Sequence, residues 1–198
     1  LENPLILLTD MTINRAQDLL PCLEMSVQQK RPLLVICKDL EGEALATTIL
    51  NVASKVVRAC AIKAPGFGDE QGELLEDLAV LTGGKVLVKD QSADLKAQGP
   101  TSLGEAERII VSKNKTTLVG GAGESDAVKS RVEILQGQAK LATSDWDREK
   151  IEKRVGKLTG GVAVLKIGAA TETEMKEKKA RVDAPLNATR AAMEEGVV

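Results

Sequence analysis

The sequence predicts an α/β fold, and three observations carry that prediction. Short aliphatic runs, Leu5–Thr9 (LILLT) and Leu33–Cys37 (LLVIC) foremost, read as buried strands. Between such runs lie longer stretches with helical spacing, so that strands and helices alternate along the chain. The chain has 198 residues, 43% of them hydrophobic, enough for one well-buried domain and a small second piece.

Taken in order, Leu5–Thr9 is the first strand and Asp10 ends it. Residues 13–29 are helical by composition but contain Pro21. Proline is tolerated in the first turn of a helix and not inside one, so a short helix ending near Leu19 and a second starting near Leu20 are expected. Arg31-Pro32 closes this region, and Leu33–Cys37 is the next strand. Gly42 leads into a helix over 43–53, and 56–62 is a further strand. Ala64-Pro65-Gly66-Phe67-Gly68-Asp69 is a tight loop, 73–82 a helix closed by Gly83-Gly84, and 85–88 a strand. Residues 108–112 and 116–119 pair around the turn Lys113-Asn114-Lys115.

Two long helices follow, over about 125–142 and 145–158. The second opens with Ser144 as N-cap and Asp147 three residues on, a capping-box-like start. Its Ile151, Val155 and Leu158 repeat at spacings of four and three as one apolar stripe. Gly160-Gly161 then marks the boundary of the chain's two parts, as a helix C-cap or as a hinge. A strand over 162–167 and a charged helix from about 171 to 195 complete the chain.

Composition removes several functions. A net charge of −2 argues against nucleic acid as the main partner, which wants a strongly basic face. No apolar run approaches the roughly 20 residues that span a bilayer, and the N-terminal residues read as a strand, not a signal peptide. Histidine is absent, which excludes a His-based triad and a His-ligated zinc site. Phe67 and Trp146 are the only aromatic residues, so stacking platforms have little to build on. Cys22, Cys37 and Cys60 sit among apolar residues without CxxC spacing and read as small hydrophobes in a reducing compartment.

One feature exceeds what a globular domain needs. In the helical region around 20–29, Leu19, Cys22 and Ser26 make one small or apolar stripe, and Leu20, Leu23 and Val27 make a second. Over 43–53, Ala44, Leu45, Ala46, Ile49 and Leu50 cover well over half the circumference. A surface helix normally carries a single apolar stripe about 100° wide. Either both helices are buried on two sides, which the spacing alone favours, or one stripe of each faces solvent as a binding patch.

Several stretches closely resemble the GroEL-type (group I) chaperonin family. They are Glu41-Gly42-Glu43-Ala44-Leu45-Ala46-Thr47, Lys63-Ala64-Pro65-Gly66-Phe67-Gly68-Asp69, Leu81-Thr82-Gly83-Gly84 and Ala142-Thr143-Ser144-Asp145-Trp146-Asp147-Arg148-Glu149-Lys150. Gly160-Gly161-Val162-Ala163-Val164, GAATETEMKEKKARV over 168–182 and NATRAAMEEGVV over 187–198 continue the likeness, in family order over nearly the whole chain. The resemblance implies that 1–161 is an apical, polypeptide-binding domain lacking its N-terminal part. It implies that 162–198 is an incomplete second segment of the intermediate domain. It also implies binding of non-native polypeptide and of the co-chaperonin's mobile loop on the two helices singled out above, at Leu20, Leu23, Glu24, Val27, Leu45, Ile49, Leu50 and Asn51. On this reading the second stripe is exposed.

By the same resemblance, the parent subunit forms homo-oligomeric rings and binds ATP and Mg²⁺ outside this chain. The family's Gly-Asp-Gly-Thr-Thr-Thr phosphate loop does not occur here, and the chain stops just before the family's glycine-rich nucleotide contact. A piece cut from a longer subunit is therefore expected, with no ATPase of its own, no metal and no cofactor. The family pattern Arg-Val-(Glu/Asp)-Asp-Ala-Leu reads Arg181-Val182-Asp183-Ala184-Pro185-Leu186, which puts Ala184 at the catalytic acid's position. Pro185 predicts a kink or frayed break near 182–185. A bacterial cytoplasm is the expected compartment, with mitochondrial matrix or plastid stroma as alternatives.

Other patterns are weaker. Gly120-Gly121-Ala122-Gly123-Glu124-Ser125 lacks the Gly-Lys-Ser/Thr ending of a phosphate cradle and reads as a loop before a helix. Asn187-Ala188-Thr189 spells a glycosylation sequon without a secretory context. Glu174-Met175-Lys176-Glu177-Lys178-Lys179 reads as a solvated face with i,i+4 pairs. Two other functions remain open from the residues: a metabolic α/β enzyme with its ligand at the strand C-termini, and an interaction domain with one fixed partner.

Overall fold

The computed structural model describes residues 1–89, 94–113, 115–160 and 165–196. The chain divides into two compact units, Leu1–Gly160 and Gly161–Val198. The first unit begins with β1 (Leu5–Thr9), β2 (Thr12–Ile13), α1 (Ala16–Gln29), β3 (Leu33–Cys37), β4 (Asp39–Leu40), α2 (Gly42–Ala53) and β5 (Ala59–Lys63). It continues with α3 (Asp69–Thr82), β6 (Val86–Leu87), α4 (Leu95–Gln98), a 3-10 turn (Pro100–Ser102), β7 (Gly104–Val111), β8 (Thr116–Gly121), α5 (Ser125–Leu141) and α6 (Asp145–Thr159). The second unit holds α7 (Glu172–Glu195). The fold is mixed α/β, as the alternation of elements predicts.

Every residue of β1 and β3 is buried, as parallel strands covered on both faces require. β1 runs parallel to β3, with Leu5 opposite Leu33, and β3 runs parallel to β5, with Leu33 opposite Ala59. The other edge of β1 is shared. β6 lies parallel beside Leu8 and Thr9, while β7 lies antiparallel beside Leu5 and Ile6. β8 pairs antiparallel with β7, giving the order β5-β3-β1-β7-β8.

Because successive side chains of a strand point to opposite faces, the sheet has two cores. Leu5, Leu7, Leu33 and Val35 pack with Leu19, Cys22 and Leu23 of α1 and Ala44 of α2. Ile6, Leu8, Leu34 and Ile36 pack with Leu75 and Ala79 of α3. β2 and β4 continue β1 and β3 as a short parallel pair, Thr12 opposite Asp39, so α1 and α2 start side by side.

Several expectations are corrected. α1 is one helix with Pro21 inside it. Its buried stripe of Leu19, Cys22, Leu23 and Ser26 spans both sides of the proline, and that shared burial outweighs the one hydrogen bond lost to Gln17. α7 likewise continues through Pro185 without a break. One missing amide leaves the turns on either side intact, and helix propagation is cooperative. The Thr171 hydroxyl caps Glu174 N at 3.2 Å, and Lys176–Glu172 (2.8 Å) and Lys178–Glu174 (2.9 Å) brace the first turns.

The strand expected over 56–62 starts only at Ala59, because Val56 N and Val57 N donate to Asn51 O and close a turn after α2. α3 starts four residues early, with Asp69 and Glu70 favourably placed against its N-terminal dipole. Ser144 is the N-cap of α6 but makes no side-chain cap bond; Asp145 pairs with Arg148 at 3.1 Å instead. β7 extends back to Gly104, and β6 is shorter than expected. Of the strand expected over 162–167, residues 162–164 lie outside the described residues and 165–167 are in no strand. Asn114 also lies outside them.

α5 and α6 are pinned to α3 by one buried carboxylate. Asp77 accepts from Arg154 Nε at 2.7 Å and from Arg131 Nε at 2.8 Å, and Arg154 also reaches Glu73. Burial alone lowers the pKa of Arg154, and the two carboxylates more than offset that and raise it. The loop before α5 packs on the end of α3. Gly123 N donates to Leu81 O at 3.0 Å, and a Cβ on Gly123 would meet Val80 O at 1.9 Å. Ala122 N donates to Glu105 O, so these amides serve packing and form no phosphate cradle.

Candidate functional site

The surface of α1 and α2 carries six exposed large apolar side chains: Leu20, Val27, Leu45, Ile49, Leu50 and Val52. The two helices are locked together at their N-termini. Glu43 Oε2 of α2 accepts from Ala16 N, the first amide of α1, at 3.3 Å, and Ala44 N donates to Asn14 O at 3.0 Å. Arg15, the N-cap of α1, provides no side-chain cap and pairs instead with Asp18 at 2.9 Å. The inward faces of both helices are core: Leu19, Cys22 and Ser26 on α1, Ala44 and Thr48 on α2. Burial pushes the Cys22 thiol up to about 12, so it is a neutral packing group beneath α1.

On the outward faces, Leu20, Val27 and Leu45 are exposed, and Ile49 and Leu50 show 56% and 67% of their surface to solvent. Leu23 does not share this exposure. It is 4% exposed and belongs to the core, so the second stripe of α1 is narrower than its helical spacing implies. A helical position between two stripes goes to whichever neighbour fills it, and here the β-sheet side does. Leu23 still contributes an edge to a shallow groove of about 290 Å³ lined by Leu20, Glu24, Val27, Asn51, Val56 and Val57.

Glu24 is exposed and places a carboxylate in that groove. Asn51 lies in the last turn of α2: its side-chain amide donates to Thr47 O at 2.8 Å, and its backbone carbonyl accepts from Val56 N at 3.0 Å. The structure therefore brings Leu20, Glu24, Val27 and Asn51 around one groove, with Leu45, Ile49 and Leu50 exposed along α2. Val52 and Val56, also exposed, enlarge the patch beyond the residues singled out in the sequence. The signal for them was present: Leu45, Ile49, Val52 and Val56 follow a 4-3-4 spacing.

The expected hinge residue Gly160 is the C-cap of α6, its amide donating to Gly156 O at 2.8 Å in an ordinary extended conformation. Gly161 lies outside the described residues. Chemically, the groove offers apolar contact, one carboxylate and amide groups. Among the described residues no group of three or more His, Cys, Asp or Glu is placed to hold a metal ion, and no helix is long and apolar enough to cross a membrane. Compared with models of known protein families, the sequence matches none of them.

Proposed function

We propose that this chain is a polypeptide-binding module of the group I chaperonin kind, holding non-native protein and a co-chaperonin's mobile loop on α1 and α2. The observation that carries the reading is the row of exposed aliphatic side chains on α2, Leu45, Ile49 and Leu50, on a helix whose inner face is already satisfied by the core. Large exposed apolar patches on a folded domain mark interaction surfaces. An aliphatic groove with little directional chemistry favours any chain that exposes apolar side chains, so its selectivity is for the non-native state. The family resemblance in the sequence points to the same two helices.

In this reading, non-native chains bind weakly to the isolated module, because a ring multiplies contacts that a single copy makes once. ATP and Mg²⁺ belong to other parts of a ring-forming subunit. Ala184 is exposed on α7 and offers a methyl where hydrolysis needs a carboxylate, and Asp183 points about 100° away around the helix. The residues here do not fit a nucleotide site, and no nucleotide chemistry is assigned to them.

The test is titration with a reduced, unfolded protein and with a mobile-loop peptide, on the native chain and on Leu45→Glu and Ile49→Glu variants. Both ligands should bind the native chain, and both should be lost in the variants while circular dichroism stays unchanged. Binding that survives both substitutions refutes the assignment. A single tight partner, with no affinity for unfolded chains, would identify a fixed-partner interaction domain.

A further inference from the structure

On the face of the sheet opposite α1 and α2, a cavity of about 370 Å³ lies between the strands, α3 and α6. We propose that it is a binding site for an unbranched, medium-chain aliphatic carboxylate. The proposal is independent of the polypeptide-binding reading, which concerns the other face.

The lining decides the class of ligand. Leu34, Ile36, Ile62, Leu74, Leu78 and Leu118 make the walls, and no aromatic ring is among the lining residues. A flat aromatic or nucleobase ligand has nothing to stack on, whereas a flexible methylene chain follows aliphatic walls. The volume falls in the range of small-molecule pockets, about 300–1,000 Å³. At roughly 30 Å³ for each water-sized group, about a dozen such groups fit, which matches a chain of about 8 to 12 carbons.

The polar residues at the lining set the charge of the head group. They are Lys63, Asp77, Thr116, Arg154 and Lys157. Both oxygens of Asp77 are taken, Oδ2 by Arg154 Nε at 2.7 Å and Oδ1 by Arg131 Nε at 2.8 Å. Lys63 is held by Asp39 at 2.7 Å. Lys157 makes no ion pair among the described residues. The one acid is thus neutralised and one ammonium is left over, which complements a single negative charge. The Thr116 hydroxyl adds a donor at the same lining.

The experiment is isothermal titration of the whole chain with hexanoate, octanoate and decanoate below their micellar concentrations, with decan-1-ol as the uncharged control. Affinity should rise by about fourfold per added methylene and level off once the cavity is full. Lys157→Glu should weaken decanoate at least tenfold and erase its advantage over decan-1-ol. Leu118→Phe, which adds bulk to the cavity wall, should weaken decanoate and decan-1-ol alike, and Leu50→Ser on α2 should leave decanoate binding as it was. The proposal is overturned if decanoate does not bind, if Lys157→Glu leaves it unchanged, or if Leu50→Ser removes it. Should Leu118→Phe fail to fold, the lysine variant and the chain-length series still decide the matter.

Discussion

Leu50 and Leu23 allow the two-helix surface to be tested by contrast. Leu50 shows 67% of its surface to solvent and Leu23 shows 4%. Full burial of a leucine is worth about 1.5–3 kcal/mol, so a bound polypeptide covering the exposed part of Leu50 gains about 1–2 kcal/mol there. Leu50→Ser should therefore weaken binding of an unfolded chain roughly five- to thirty-fold. Its stability should move by no more than about 0.5 kcal/mol, as for other exposed substitutions. Leu23→Ala should behave in the opposite sense. It opens a void among Leu19, Cys22 and the β-sheet and should lower stability by about 2–5 kcal/mol. Fluorescence anisotropy with a labelled unfolded peptide reads the first effect, and urea denaturation the second. If Leu50→Ser binds normally, or destabilises the chain as much as Leu23→Ala does, the outward row on α2 is not a binding surface.

Three further outcomes are expected. Asp77→Ala leaves Arg154 buried without its main partner and should cost about 3–5 kcal/mol in urea denaturation, with a smaller loss for Asp77→Asn. Cys22 and Cys37 have thiols that burial raises from 9.0 to about 12 and about 11, so they should resist alkylation by iodoacetamide at pH 8 in the folded chain. Because these folded values are raised, the stability they carry is complete below pH 9 and falls as pH rises through 11 and 12, by up to about 1.4 kcal/mol per pH unit for each thiol. Denaturation curves from pH 7 to 11 check the sign. Pro185→Ala restores an amide that can donate to Arg181 O, so it should stabilise α7 by up to about 3 kcal/mol and increase helical circular dichroism.

The alternation of strands and helices was legible because it depends on local residue choice. LILLT and LLVIC are strands for the same reason that they are buried: aliphatic runs covered on both faces. The helices over α2, α5 and α6 fell within a residue or so of where their spacing and flanking glycines put them. The breaks expected at Pro21 and near Pro185 are absent, since proline's local cost is real but the neighbouring turns determine whether the helix survives it. The break after α2 was missed for a different reason. Val56 and Val57 look like strand residues, yet a carbonyl at Asn51 captures their amides.

The sequence by itself determined that α1 and α2 carry more apolar surface than one face can bury, because helical periodicity is a property of spacing alone. Which residues that surplus consists of was decided only by the tertiary structure. Leu20 and Leu23 share a stripe about 60° wide on a helical wheel, and the sheet beneath α1 takes Leu23 into the core and leaves Leu20 outside. Asp77, Arg131 and Arg154 show the same division. Their charges are scattered over 77 positions of sequence, and only the packing of α3, α5 and α6 brings them within hydrogen-bonding distance. Exposure and pairing depend on what arrives from elsewhere in the chain, and local spacing carries no record of that.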